Sequence, residues 1–467
     1  MTPATASTSA AADFAARGCT LIVTGDCGTS DHDSIAVAAA AGIEVIVVDH
    51  HTVPAPSESG EVLHPSLALV NPFRADSTFP FRGMASVGLM FYVAAAVRTE
   101  LRERGHFRSA AEPDVRELLD LVALGTIADL VPLTAENRIL TSLGLRRLQS
   151  RARPGVAALL AAAGVSFDRP VDAATVAWKL APRINAPGRL GAAEPSLALL
   201  LSDEDSAPAR AQALEDANHE RRAIQERVVA EAIERVGEGD PGPAIVIAGE
   251  GWPAGVVGIV AAKLVDRYQR PAFVIGIDPE TGIGRGSART CGGVDLYRAL
   301  SAAAADSGCM GRFGGHAAAA GFTIQREALG AISEAISSAC GKLAQGSGPV
   351  IAGREIDAEV PLAEVDERLA QELAGLGPFG QHNPSPVLVT RHARVTAARR
   401  VGDGSHLKLT LEDERSSATR SAIGFKLGDR PVEVGCHVDL AFLPTISIFQ
   451  GRRSAEMELV DLALCGP

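Results

Sequence analysis

Aromatic residues are scarce: Phe, Trp and Tyr make up 4% of the 467 residues, with two Trp and three Tyr. Cores must therefore rest on Ala, Val, Leu and Ile. The seven cysteines (Cys19, Cys27, Cys291, Cys309, Cys340, Cys436, Cys465) are scattered and form no C-x-x-C pair. That excludes a disulfide framework and a thiolate zinc site. No apolar run reaches the roughly 18 uncharged residues a membrane helix needs. Met1 to Ala16 has no basic patch followed by an apolar core, so a secretory signal is not expected. The reading is a reduced, cytosolic protein with no membrane partner. Positive charge is also short, with 44 Lys and Arg against 56 Asp and Glu, a formal net charge of −12. A nucleic-acid partner would have to meet a local basic patch, because the global field repels it. What is present, 46% hydrophobic and 21% charged residues, is ordinary for folded protein at a length of about three domains.

The N-terminal third alternates β-branched runs with Ala-rich stretches. Leu21–Thr24 reads as a buried strand, Ser34–Ala41 as a helix ended by Gly42, and Val45–Val48 as a second strand. This spacing is a βαβ unit of a parallel sheet, which places ligands just beyond the C-terminal ends of its strands. Asp26 and the cluster Asp49-His50-His51 fall there. A helix over Asp114–Asp129 runs into a loop, and Ser206–Val236 forms one long charged helix suited to a connector. A second α/β region follows, with strands at Ala244–Ile247 and Ala272–Ile275 around a helix at Gly255–Tyr268. After Gln345–Gly348 the runs Val387–Val389, Leu407–Leu411 and Val438–Phe442 alternate between Gly and Asp turns, as in a small antiparallel barrel. Residues 388–430 hold nine basic and five acidic side chains, a local excess of +4. That suits a nucleic-acid surface or an ordinary solvated face.

Asp26, His50, His51 and Asp129 each sit at or just after the end of a strand or helix. Carboxylates with imidazole and no thiolate suit Mn²⁺ or Mg²⁺ better than structural zinc. Two such ions about 4 Å apart would serve a phosphoester displacement. The plainer reading makes Asp26 and Asp49 helix caps and the histidines ordinary polar residues. An Asp-His-His run ending an all-apolar strand opposite a second strand-end Asp favours the metal. Arg285-Gly-Ser287-Ala-Arg289 and Phe313-Gly314-Gly315-His316 combine close backbone approach with phosphate donors. Asn185-Ala-Pro-Gly-Arg189 reads as a turn presenting an amide and a guanidinium. Trp252 reads as core packing at a helix start.

These residues resemble the RecJ single-stranded-DNA-specific exonucleases of the DHH phosphoesterase superfamily. The runs that carry the resemblance begin with Val23–Gly28, Val48–His51, Val70-Asn-Pro72 and Phe79-Pro-Phe81. They continue through Ala123–Pro132, Glu136-Asn-Arg138, Asn185–Arg189, Gly255–Val260, Gly286–Arg289 and Phe313–His316. Gly377–Gly380 with Asn383-Pro384 opens the family's barrel. The resemblance runs from about Ala15 to the end of the chain. It implies a DHH catalytic domain over 1–150, a helical connector over 151–238, a DHH-associated domain over 239–346 and an oligonucleotide-binding (OB) domain over 347–467. The fold expected is α/β: a parallel-sheet DHH domain, incomplete at its start, joined by a long helix to a second α/β domain and an OB barrel.

The resemblance also implies function. Family members degrade single-stranded DNA from the 5′ end with Mn²⁺ or Mg²⁺, in DNA repair and recombination, alongside single-strand-binding protein or helicase partners. Carried over by position, Asp26, His50 and Asp129 would be ligands of a two-metal site. Asp49 would orient His50, and His51 would sit beside the metals or the scissile phosphate. Asn185, Arg189, Ser287, Arg289, Gly314, Gly315 and His316 would hold the strand's phosphates across a cleft between domains.

One family motif is absent. A strand ending in His-x-Asp-x-Asp, which supplies two further carboxylates, lies upstream of Asp26 in the family, and none of the 25 residues before Asp26 forms it. Asp31-His32-Asp33 aligns with the loop after Asp26 and is not a replacement. Smaller departures are Gly25 and Pro253. A late start codon, a fragment and a degenerate relative each account for the gap. Without that strand, Leu21–Thr24 should have an open side. The leading reading is a metal-dependent 5′→3′ exonuclease. The alternatives are a non-catalytic single-strand-binding or scaffold protein and a short-oligonucleotide phosphodiesterase.

Overall fold

The computed structural model describes residues 11–53, 64–344, 355–449 and 452–465. The chain gathers into two compact units. One comprises Met1–Ser150, Pro170–Ala177 and Arg354–Pro467, and the other Arg151–Arg169 and Trp178–Gly353. The break expected at Gln345–Gly348, and the first ten residues of the segment weighed as a signal, lie outside the described residues.

In the first unit the β-branched runs form β1 (Leu21–Gly25), β2 (Glu44–Val48) and β3 (Ala68–Val70), with α1 (His32–Ala40) between the first two. They pair in parallel in the order β1-β2-β3, Leu21 beside Glu44 and Val48 beside Val70. A central parallel strand is covered on both faces, so past the exposed Glu44 the side chains of β2 are all apolar. Val45 and Val47 pack on Ile35 and Ala38 of α1. Ile46 and Val48 face the opposite layer, built from α2 (Ser86–Glu103), α3 (Leu119–Ala128) and α4 (Ala135–Ser150). β1 is an edge: Leu21 and Val23 are nearly half exposed, and among the described residues no strand pairs with its outer side. The open side expected for Leu21–Thr24 is there.

The chain then enters the second unit through α5 (Pro154–Ala162), α6 (Ala181–Leu190), α7 (Glu194–Leu200) and the 30-residue α8 (Ala207–Val236). Buried Ala211, Leu214, Asn218, Arg221, Val228 and Ala232 recur at helical spacing along one face of α8. The run Asn185–Arg189, expected as a turn, is instead the C-terminal half of α6. Pro187 lacks the N–H that would bond Arg183. The helix persists because Ala181, Arg183, Ala186 and Pro187 are buried, and Arg183 donates to Glu215 of α8 at 3.0 Å. Tertiary burial overrides the local turn signal.

The sheet of this unit contains β4 (Ile245–Glu250), β5 (Ala272–Ile277), β6 (Ile283–Arg289), β7 (Phe313–Gly315) and β8 (Ala319–Gln325), in the order β4-β5-β6-β8-β7. Only β4 and β5 are parallel. Every residue of β5 is buried. Ala272 and Val274 face α8 and α9 (Ala254–Tyr268). Phe273, Ile275 and Ile277 face α10 (Leu296–Ser307) and α11 (Leu329–Ala344). Trp252, 3% exposed, packs at the start of α9.

Back in the first unit, β9 (Ala358–Glu359) and α12 (Glu367–Ala374) lead into β10 (Leu388–Val401), β11 (His406–Asp413), β12 (Ala418–Gly424), β13 (His437–Phe449) and β14 (Arg452–Leu464). The barrel closes as β10-β11-β12-β14-β13 and back to β10. Its strands are antiparallel except β12 and β14, whose parallel pairing completes the ring. Val395, Leu409, Leu411, Val438, Leu440, Phe442 and Met457 fill the interior. Closure leaves no free edge in the ring.

α3 and α4 touch through backbone. A Cβ at Gly144 would lie 2.2 Å from the Leu119 carbonyl oxygen and 2.6 Å from the Ala123 Cβ. Gly144→Ala should therefore destabilise the protein by about 1–3 kcal/mol in denaturant unfolding, the range of overpacking. Gly330→Ala on α11, where a Cβ meets open space, should leave stability unchanged or raise it by up to about 1 kcal/mol.

Candidate metal centre and anion-binding strip

The strand ends make the first cluster. β1 ends at Gly25 and Asp26 takes a left-handed φ of 67°, its N–H donating to the Val48 carbonyl at 3.0 Å. Gly28 follows with φ 117°, and a Cβ there would meet both Val47 methyls at 2.9 Å. The turn therefore needs glycine. From β2, Asp49 is 1% exposed. Its Oδ1 accepts the N–H groups of His50 at 2.8 Å and His51 at 3.2 Å, and its Oδ2 accepts the Thr29 N–H at 3.1 Å. Burial alone would raise its pKa, yet the hydrogen bonds from Thr29 and His51 hold it well below the usual carboxylate range.

The histidine that Asp49 orients is His51, with Nδ1 at 2.7 Å from Asp49 Oδ1. Sequence had assigned that partner to His50. The correction follows from the turn: Asp49 accepts both following amides, which aims its oxygen at the ring two residues on. His50 is left free to turn toward the other carboxylates, its side chain 15% exposed against 54% for His51. Its Nε2 lies 3.2 Å from Asp26 Oδ1 and 3.4 Å from Asp129 Oδ2. Asp129 reaches it from the C-terminal cap of α3. The ligand-type atoms of Asp26, His50 and His51 all lie within 4.8 Å of one another. Two carboxylates and two imidazoles on one rim, with no thiolate among them, fit a hard or borderline divalent ion.

The charges are unequal. The hydrogen bond to His50 lowers the Asp26 carboxyl pKa. Burial raises that of Asp129, against the pull of His50. The hydrogen bond to Asp26 raises the His50 pKa despite its burial, with Asp129 adding to it. Sequence reasoning gave no role to Thr29 or to Asn71. Asn71 Nδ2 donates to Thr29 Oγ1 and to the His51 carbonyl, each at 2.9 Å. The Val70-Asn-Pro72 run was the available signal.

The second unit brings three expected residues together at the first turns of α9. Arg289 Nη1 donates to Ser287 Oγ at 3.0 Å, and Arg189 Nη1 donates to the Gly255 carbonyl at 2.9 Å. A Cβ on Gly258 would lie 2.9 Å from Ser287 Oγ. No carboxylate pairs with either guanidinium among the described residues. Burial, then Arg189, presses the Arg289 pKa down. Arg221 belongs to the same field. Burial, then Arg222 and Arg189, lowers its pKa, and it donates to Asn218 Oδ1 at 2.7 Å. The run Asn218–Arg222 had been read only as connector. Across the sheet, Ser287 pairs with Gly321 and Gly321 with Gly314, an open strip of backbone. Gly315 takes φ 137°, and His316 is exposed in the turn after β7, its N–H on the Ala319 carbonyl. Asn185 is exposed on α6. Neither His316 nor Asn185 has a side-chain hydrogen bond to the Arg189–Ser287–Arg289 group among the described residues.

The basic excess over residues 388–430 is largely spent within the barrel. Arg391 pairs with Glu359 and Asp439, Arg394 with Glu412 and Glu414, Lys408 with Glu456, and Arg430 with Asp461. Arg400 and Arg420 donate to backbone carbonyls. Among the described residues, Arg399, Arg415 and Lys426 have no such side-chain partner.

A parallel sheet with an Asp-His-His turn at its strand end, a second α/β unit with unpaired guanidinium groups and a closed five-strand barrel together define a DHH-class protein. Family models agree: the DHH family N-terminal domain matches residues 3–126, the DHHA1 domain 241–342 and the RecJ OB domain 356–461. The chain belongs to the RecJ family. It is 37% identical over 464 residues to the single-stranded-DNA-specific exonuclease RecJ of Salmonella typhimurium, covering 96% of this chain and 78% of that protein. To the Bacillus subtilis protein of that name it is 35% identical over 453 residues, 96% of this chain. It spans only 54% of that relative's length. The crystal structure of RecJ with Mn²⁺ from Thermus thermophilus superposes with a TM-score of 0.80 at 28% identity, covering 98% of this chain and 64% of that one. No helix among the described residues is long and apolar enough to cross a membrane.

In the metal-free protein the His50 ring should titrate above the ordinary imidazole value of about 6.5. Asp26→Asn should lower that midpoint most and Asp129→Asn less, as read by NMR of the ring. The sign for stability follows. The Asp26–His50⁺ contact contributes fully below the unfolded pKa and is lost as pH rises through the raised folded value.

Proposed function

We propose that this chain is a divalent-metal-dependent phosphodiesterase acting as a 5′→3′ exonuclease on single-stranded DNA, in repair and recombination. The observation that carries the reading is the convergence of Asp26 and Asp129 on His50 Nε2, at 3.2 and 3.4 Å. Asp26, His50 and Asp129 would hold Mn²⁺ or Mg²⁺, with His51 at the rim. A bound divalent cation would supply Lewis acidity toward a phosphoryl oxygen and toward the attacking water. Asp26, held ionised, keeps negative charge on the rim at neutral pH. His50 must shed its proton before it can ligate, so metal binding releases a proton there. Asp49 fixes the His51 ring through Nδ1, leaving Nε2 free to hold or pass a proton at the site. Arg189, Ser287 and Arg289 would hold phosphates, with the Gly314–Gly315 strip and His316 following the backbone. The relatives' name for their substrate supports single-stranded DNA. A single-stranded DNA substrate supports a cytosolic location, and a single-strand-binding protein or helicase is the partner this role calls for.

A second reading is favoured by one observation. Among the described residues only two carboxylates face His50, few for a two-metal site. That suits a relative that binds single strands without cutting them.

Digestion of a 5′-phosphorylated single strand with Mn²⁺ separates the two. Under the exonuclease reading, Asp129→Ala should lower the cleavage rate by roughly a thousand-fold, about 4 kcal/mol, with strand binding retained. A wild-type chain that binds but never cleaves would decide for the binder. Arg289→Gln should weaken strand binding and reduce the log–log salt slope by about 0.7. An unchanged slope would remove Arg289 from the phosphate contacts.

A further inference from the structure

The loop that carries Asp129 is held from two sides. α3 ends at Asp129, Leu130 takes φ 57°, and α4 begins at Ala135 with φ 44°. On one flank Asn137 Nδ2 donates to the Pro132 carbonyl at 2.9 Å and to the Gly83 carbonyl at 2.7 Å. On the other flank stands the segment Leu376–Asn383, which precedes the barrel. The Leu133 N–H donates to the Gln381 carbonyl at 2.8 Å, and Arg138 Nη2 donates to the Leu376 carbonyl at 2.6 Å. Leu133 is 3% exposed, and a Cβ at Gly380 would lie 2.7 Å from its Cδ1. The segment is itself braced. Asn383 Nδ2 donates to the carbonyls of Pro378 at 2.9 Å and Leu376 at 3.3 Å, and Gly380 and Asn383 form a two-residue bridge.

We infer that the Leu376–Asn383 segment is a positioning element for the metal centre: through Leu133 and Arg138 it fixes the loop that aims Asp129 at His50. Two sequence runs without a chemical role, Glu136-Asn-Arg138 and Gly377–Gly380 with Asn383, meet here. The contact costs an arginine and a backbone amide that solvent would otherwise satisfy, and it spans over 230 positions of sequence. The barrel's lead-in is thereby part of the centre's support as well as a route to the barrel. A carboxylate on a loop with two left-handed residues has no regular ladder of its own to hold it, so its aim depends on such outside partners.

This inference rests on the metal-centre reading, and the test separates the two. Arg138→Ala and Gly380→Val are compared with wild type and with Arg138→Lys, which keeps a donor. Three quantities are read on the full chain: amide exchange at residues 129–133 without metal, Mn²⁺ affinity by titration, and binding of a single-stranded oligonucleotide in chelator. The expected result is exchange about 10-fold faster in that loop alone. Mn²⁺ affinity should fall about 10-fold, the low end for lost support of a ligand. Oligonucleotide binding should be unchanged, and Arg138→Lys should restore most of the loss. Mn²⁺ affinity unchanged while loop exchange rises would overturn the inference. So would a uniform rise in exchange over the whole unit, which marks a merely structural contact. If wild type takes up no Mn²⁺, the metal reading falls, and the confined rise in loop exchange alone decides whether the segment holds the Asp129 loop.

Discussion

The candidate centre depends on a carboxylate that faces no solvent. Asp49 is 1% exposed and ionised, a state that burial penalises heavily. It persists because the amides of Thr29, His50 and His51 and the His51 ring surround it. Those bonds draw the chain into a tight turn after β2. They also pull the loop after β1 against it, since Thr29 belongs to that loop. One satisfied charge therefore draws the two strand ends together and takes the His51 ring for itself, which leaves His50 to Asp26 and Asp129. Asn71, beyond β3, ties the third strand end to the same hub through Thr29 and the His51 carbonyl.

The two units distribute charge in opposite ways. In the first, two carboxylates lean on one imidazole, and their pKa values part: Asp26 falls, Asp129 rises. Such divergence between neighbouring acids occurs at functional sites and in structural ion-pair networks alike. In the second, Arg189 repels both Arg221 and Arg289, none of the three pairs with a carboxylate among the described residues, and burial lowers the pKa of Arg221 and Arg289. A chain of net charge −12 thus keeps a local positive field in its second unit. The barrel, which looked most basic in sequence, holds four of its nine cations over 388–430 in ion pairs and two more on backbone carbonyls.

The elements themselves were legible because each has a strong local pattern. All-apolar β-branched runs marked β2 and β5, since strands covered on both faces leave little place for polar residues; β1 carries the same pattern, though Leu21 and Val23, expected to be buried, are nearly half exposed at the sheet edge. The long α8 was visible in its unbroken charged run. The Asn185–Arg189 run was misread because Pro and Gly announce a turn, while burial against α8 holds the helix through them. The basic count over 388–430 could not by itself tell a nucleic-acid surface from a solvated face. Composition reports how many cations a segment owns and says nothing of the acids that strands bring beside them.

By itself the sequence determined the order of the folded parts, the strand-end positions of Asp26, Asp49, His50 and His51, and the family to which they point. These follow from periodicity and short motifs, which are local. Only the tertiary structure decided that Asp49 serves His51, that Asp129 reaches His50 from the end of α3, and that Leu376–Asn383 braces the Asp129 loop. The last two join residues tens to hundreds of positions apart; the first joins neighbours, but burial of Asp49 and the Thr29 amide from the loop after β1 set its geometry.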